Sequence, residues 1–129
     1  MFRNKYAWIL PCFWAILLLS VSSLPNFSTD SLAISMSDKL WHIFAYLPLG
    51  FLLFYAIQEK PGPFASAPMR WAMILGLFYA VFDEAHQHFI PGRQLDVLDL
   101  LANIVGVVLG IFVFLVQRQI YLRYRESGS

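Results

Sequence analysis

Three groups of polar side chains interrupt an otherwise apolar chain. Asp38, Lys39 and His42 form the first. Asp83, Glu84, His86, Gln87 and His88 form the second, with Arg93 five residues on. Asp96, Asp99 and Asn103 form the third. Carboxylates and imidazoles of this kind serve as general acids and bases, which makes Glu84, Asp99 and His42 the candidate catalytic groups. Arg93 offers a planar fork of donors that suits a phosphate or carboxylate, and Lys39 adds a second cation. Helical spacing groups these residues further. Asp38 and His42 share a face, and Tyr46 extends it by one turn. Glu84 shares a face with Gln87 and His88, and Asp96, Asp99 and Asn103 make one stripe.

Other chemistries find less support. There is no Ser-His-Asp order around a nucleophile elbow and no Gly-rich phosphate loop. Glu84, His88, His42 and Asp99 are metal-ligating types, but their spacing fits no standard metal motif, so no metal and no cofactor is expected. Asp38, Asp96 and Asp99 also admit a structural role, since acids at a helix N-terminus offset the macrodipole for about 0.3–1 kcal/mol each. The single cysteine, Cys12, excludes an internal disulfide and is expected to pack within an apolar run.

The elements that must carry these residues are apolar helices. Of 129 residues, 59% are hydrophobic and 13% charged, against roughly 45–50% and 25% in a soluble domain. A chain this short cannot hide so much apolar surface from water. The net charge of +1 gives no reason to expect a nucleic-acid partner. A transmembrane helix needs about 20 apolar residues. Segments 6–24, 40–57, 71–90 and 97–116 meet that length, which predicts an all-α membrane bundle of four transmembrane helices forming a single domain over 1–129. Pro25, the Lys60-Pro61-Gly62-Pro63 run and Pro91-Gly92 mark the connections, and Ser37 reads as an N-cap. The first span has a basic start and a tolerable cleavage pattern at Ser20-Val21-Ser22. Its bulky Trp8, Phe13 and Trp14 favour retention in the bilayer over removal as a signal peptide. Gly106 and Gly110 form a small-xxx-small pair expected to let helices approach.

Basic residues set the orientation. Arg3, Lys5, Lys60, Arg70, Arg118, Arg123 and Arg125 fall on one side of such a bundle, leaving Lys39 and Arg93 on the other. Both termini are therefore expected in the cytoplasm and the polar layer near the outer face. Glu84 then lies roughly 9 Å in from Ile90, and Asn103 roughly 10 Å in from Asp96. An ionisable group costs about 2.5–3.5 kcal/mol at mid-bilayer and less nearer the surface, so such groups face the bundle interior and pair.

The segments Asp38-Lys39-Leu40-Trp41-His42-Ile43-Phe44-Ala45-Tyr46, Glu84-Ala85-His86-Gln87, Pro91-Gly92-Arg93, Asp96-Val97-Leu98-Asp99 and Ala102-Asn103-Ile104-Val105-Gly106 resemble the VanZ-like family of small bacterial membrane proteins. The resemblance covers about 38–110. It implies an inner-membrane protein of the cell envelope, in a family named for a link to glycopeptide (teicoplanin-type) antibiotic resistance. By resemblance the binding residues are Asp38, Lys39, His42, Tyr46, Glu84, Gln87, Arg93, Asp96, Asp99 and Asn103. Three functions stay open. The first is binding of an anionic lipid-linked cell-wall precursor or glycopeptide near the outer leaflet, with Glu84 and Asp99 holding Arg93 in place. The second is an enzyme acting on a lipid-linked phosphate or peptide, with Glu84 or His42 as base. The third is a small carrier or channel, which would need a homo-oligomer because the inner halves of the spans carry few polar residues. Membrane lipid is the expected partner in each.

Overall fold

The computed structural model describes residues 6–24, 32–59, 62–93 and 95–128, with the backbone alone for 32–36. Arg3, Lys5, Asp30, Lys60, the connection at 25–31 and Pro61 lie outside the described residues. The described chain is all-helical: α1 (Ile9–Ser22), α2 (Leu32–Glu59), α3 (Pro68–Gln87) and α4 (Val97–Ser127).

The helix limits differ from the sequence expectations, each for a local reason. Pro11 sits in the first turn of α1, where its missing N–H removes no helical bond. α2 begins before Ser37, so Ser37 is no N-cap, and Asp38 and Lys39 stand well inside the helix. Asp38 is thereby removed from the macrodipole role that a terminal acid would have. Pro68 occupies the first turn of α3, its preorganised position. α3 stops at Gln87, three residues early, because the chain tightens into turns: Phe89 and Ile90 donate to the carbonyls of His86 and Gln87, and Arg93 donates to that of Ile90. Gly92 takes φ 82°, the left-handed conformation this reversal requires. Asp96 caps α4, its side chain accepting from the Leu98 N–H at 2.7 Å. α4 then runs on to Ser127, well past Val116.

Two of the four helices are long and apolar enough to cross a bilayer: Ser37–Glu59 within α2, and α4. α1 has 14 residues, about 21 Å of rise against a hydrocarbon core of about 30 Å. α3 has 20 residues but includes Arg70, Asp83 and Glu84.

α2 and α4 form the central pair, and their backbones touch. A Cβ on Gly106 would lie 2.5 Å from the Ile43 carbonyl oxygen. One on Gly110 would overlap the Leu47 carbonyl, and one on Gly50 the Val107 carbonyl. The small-residue pair is therefore a packing seam, widened by a third glycine on the partner helix. Around the seam lies an apolar core of Leu18, Leu49, Leu53, Phe54, Ile57, Ala72, Ala80, Val107 and Ile111. α1 lies across α2 and α3, fastened by Trp14 Nε1–H to the Ala45 carbonyl at 2.9 Å and by the Tyr79 hydroxyl to the Ala15 carbonyl. Cys12, in the apolar run of α1, faces outward.

Candidate functional site

One end of the bundle gathers polar side chains from all four helices. Asp83, 2% exposed, sits on the inner face of α3. Asp83 Oδ1 accepts from the Ser22 hydroxyl of α1 at 2.5 Å. Its Oδ2 accepts from the Tyr46 hydroxyl of α2 at 2.6 Å and from Gln87 Nε2 one turn on at 3.5 Å. A single carboxylate thus joins three helices, and its burial is offset by hydrogen bonds to its charged form.

Glu84, the next residue, points toward a different neighbour. Its Oε1 accepts from the Asp96 backbone N–H at 2.8 Å, tying the end of α3 to the start of α4. Its Oε2 is buried and has no hydrogen-bond partner among the described residues.

A second network joins α2 to α4. Lys39 Nζ donates to Asp96 Oδ2 at 2.7 Å and to Asp99 Oδ1. The Lys39 ammonium holds the Asp96 carboxyl below the usual carboxylate range, with further help from the Leu98 N–H. His42 Nδ1 lies 2.8 Å from Asn103 Oδ1, a contact that forms a hydrogen bond with the ring proton on Nδ1. His42 Nε2 then lies 3.7 Å from Asp99 Oδ2 and 4.0 Å from Asp38 Oδ1.

Arg93 departs from expectation. Glu84 and Asp99 do not hold it; they are engaged by the Asp96 N–H and by Lys39. Arg93 instead donates through Nη1 to the Ser22 carbonyl at 3.1 Å, on the last residue of α1. An exposed carbonyl at a helix C-terminus is a natural cation partner.

Two cavities open on this layer. One, of about 310 Å³, has an apolar wall that includes Leu18, Val21, Leu24 and Trp41, and a polar wall of Asp38, His42, Tyr46, Asp83, Gln87 and Arg93. The other, of about 440 Å³, is lined by Asp38, Gln87, Arg93, Asp96 and Asp99 together with Leu95 and Val97. Asp38, Gln87 and Arg93 line both. Of the three acid–base candidates, His42 and Asp99 each reach a cavity, whereas Glu84 lines neither. His88 faces outward, and His86 turns to the Ser23 hydroxyl at 3.3 Å.

All ten binding candidates belong to this one region. Lys39, Glu84 and Asn103 support it from behind, and the other seven line the cavities. Two members were not among those ten candidates. Asp83 had a signal in its four-residue spacing to Gln87 and Tyr79. Ser22 had none, since a serine at a helix end is unremarkable until Asp83 is placed against it.

A family model described as VanZ/LLP1 matches residues 4–118. An uncharacterized protein, C11E3.10 of Schizosaccharomyces pombe, is 28% identical over 98 residues, covering 76% of this chain and 58% of the relative. The chain thus spans somewhat over half the length of that relative. No solved structure matches.

Proposed function

The chain belongs to the VanZ/LLP1 family, a membrane-associated family, and from that premise we propose that it sets all four helices in a bilayer and binds the headgroup of an anionic amphiphile at the polar end of the bundle. The observation that carries this reading is the two-sided cavity beside α1. Its apolar wall of Leu18, Val21, Leu24 and Trp41 suits a hydrocarbon chain. Its polar wall, ending in Arg93, suits a phosphate or carboxylate.

The surface supports four helices in lipid. α3 is inside-out by the standard of a soluble helix: Ile74, Leu77, Phe78, Val81 and Phe82 face outward, while Asp83, Glu84 and Gln87 face inward. α1 exposes Ile9, Leu10, Phe13, Ile16, Leu17 and Val21 in the same manner. Contiguous apolar surface of this extent is rare on a protein in water. The excess of basic residues on one side supports a reading with both termini in the cytoplasm and the cavities at the outer leaflet of an inner membrane.

The headgroup could belong to an ordinary anionic phospholipid or to a lipid-linked cell-wall precursor, and the link to glycopeptide resistance follows only from the second.

The test is Arg93→Lys in nanodiscs, with phosphatidylglycerol and a polyprenyl-pyrophosphate precursor as separate probes read by native mass spectrometry. Loss of the fork should weaken binding roughly tenfold, about 1.4 kcal/mol. Preference for the precursor, together with altered glycopeptide sensitivity of a strain carrying the variant, would assign the cell-wall ligand. Unchanged binding of both probes and unchanged sensitivity would defeat the reading.

A further inference from the structure

His42, Asp38 and Asp99 meet in an arrangement that neither the amphiphile reading nor the hydrogen-bond networks use. With its proton on Nδ1 and held by Asn103, His42 turns the lone pair of Nε2 toward Asp38 Oδ1 and Asp99 Oδ2. The separations of 4.0 and 3.7 Å exceed hydrogen-bond range. Yet one ligand atom from each of the three residues lies within 4.8 Å of the other two. Three acceptors therefore converge without a donor between them. Such a group is repulsive unless positive charge sits at its centre.

Charge counting points the same way. Asp96 and Asp99 share one ammonium, Lys39, and Asp38 adds a third carboxylate beside His42, which leaves two negative charges around a neutral ring. Adding Arg93 across the cavity and the buried Glu84 changes nothing in that balance. Glu84 adds a further carboxylate to this layer, its Oε2 buried without a hydrogen-bond partner among the described residues. Lys39 does not occupy the centre, because it bonds the opposite oxygen of Asp99.

We propose that Asp38, His42 and Asp99 bind a first-row divalent cation. One imidazole and two carboxylates suit Mn²⁺ or Zn²⁺. Asn103 acts as a positioning residue, fixing the ring tautomer through Nδ1 as outer-shell partners of metal-bound histidines do. Asp38 is 38% exposed and opens to both cavities, which gives the ion a route from water and leaves coordination positions for a ligand there. The site stands on atoms other than the Arg93 fork and does not require that an amphiphile bind.

The test uses the full chain in detergent, stripped with EDTA and titrated with Mn²⁺ by electron paramagnetic resonance, with Zn²⁺ as competitor. The wild type should bind one Mn²⁺, displaced by Zn²⁺, with pulsed spectra showing coupling to one imidazole nitrogen. Asp38→Asn leaves the Lys39 network in place and should lower affinity at least tenfold. His42→Ala should abolish the nitrogen coupling. Asn103→Leu should weaken binding by roughly 10–100-fold while keeping that coupling. His88→Ala should change nothing. Mn²⁺ or Zn²⁺ bound no better by the wild type than by Asp38→Asn would mean that a protonated His42 bridges the two carboxylates, and would overturn the proposal. Binding that survives without nitrogen coupling would overturn it equally.

Discussion

Asp83 shows how one residue can organise a polar site in an apolar chain. Its carboxylate takes hydroxyls from α1 and α2 and an amide from its own helix, so each donor meets a charged acceptor out of water. Tyr46→Phe removes one of these donors from a buried carboxylate. The expected cost is about 1–2 kcal/mol, between hydrogen bonds to charged groups in water and interhelical ones in lipid. A lowered unfolding midpoint in detergent would register it, and an unchanged midpoint would show that Asp83 finds another donor. Glu84→Gln makes the opposite test. The amide oxygen still accepts the Asp96 N–H, while the amide nitrogen replaces the unpartnered Oε2. Stability should be unchanged or raised by the same measurement, because a buried carboxylate oxygen without a partner is removed. Asp83 and Glu84 are adjacent in sequence, and nothing in their types says which helix each would meet.

At the scale of elements, the α2–α4 seam fixes the register that brings Lys39 to Asp99 and His42 to Asn103. Gly106 and Gly110 meet backbone rather than flexible side-chain ends, so the seam cannot yield locally. Gly110→Val should therefore cost at least the roughly 1–3 kcal/mol typical of overpacking, and should reduce the yield of monodisperse protein. Gly62, with open space around it, is the matched control: Gly62→Ala should leave yield and stability alike. The helical character of these segments and the small-residue seam were legible in the sequence, since both depend on local residue type. The helix ends were less so. The extension of α2 ahead of Ser37 moved Asp38 from a supposed helix start into the body of the helix, and turn formation cut α3 short at Gln87.

For the whole molecule, the four-span arrangement makes a topological prediction. Reporters fused at Gly62 and after Ser127 should report the same side of the membrane, and one at Gly92 the opposite side. If only α2 and α4 cross, with α1 and α3 lying at the surface, Gly62 and the chain end should report opposite sides instead. The short α1 gains its place from partners rather than from its own length: Trp14, Ser22 and the Arg93 contact fasten it over α2 and α3.

Composition was enough to indicate long apolar helices, two of them able to cross a bilayer, because it acts through average properties of long segments and tolerates errors in detail. The motif residues were likewise visible as a set, since charge in an apolar run is expensive and therefore conspicuous. Their pairing was decided only by the packed structure. Which carboxylate receives Lys39, which cation reaches Ser22, and where His42 directs its lone pair all depend on rotations of about one helical residue between neighbouring helices. Those rotations are set by contacts between residues far apart in the chain, such as Gly106 against Ile43 and Gly110 against Leu47.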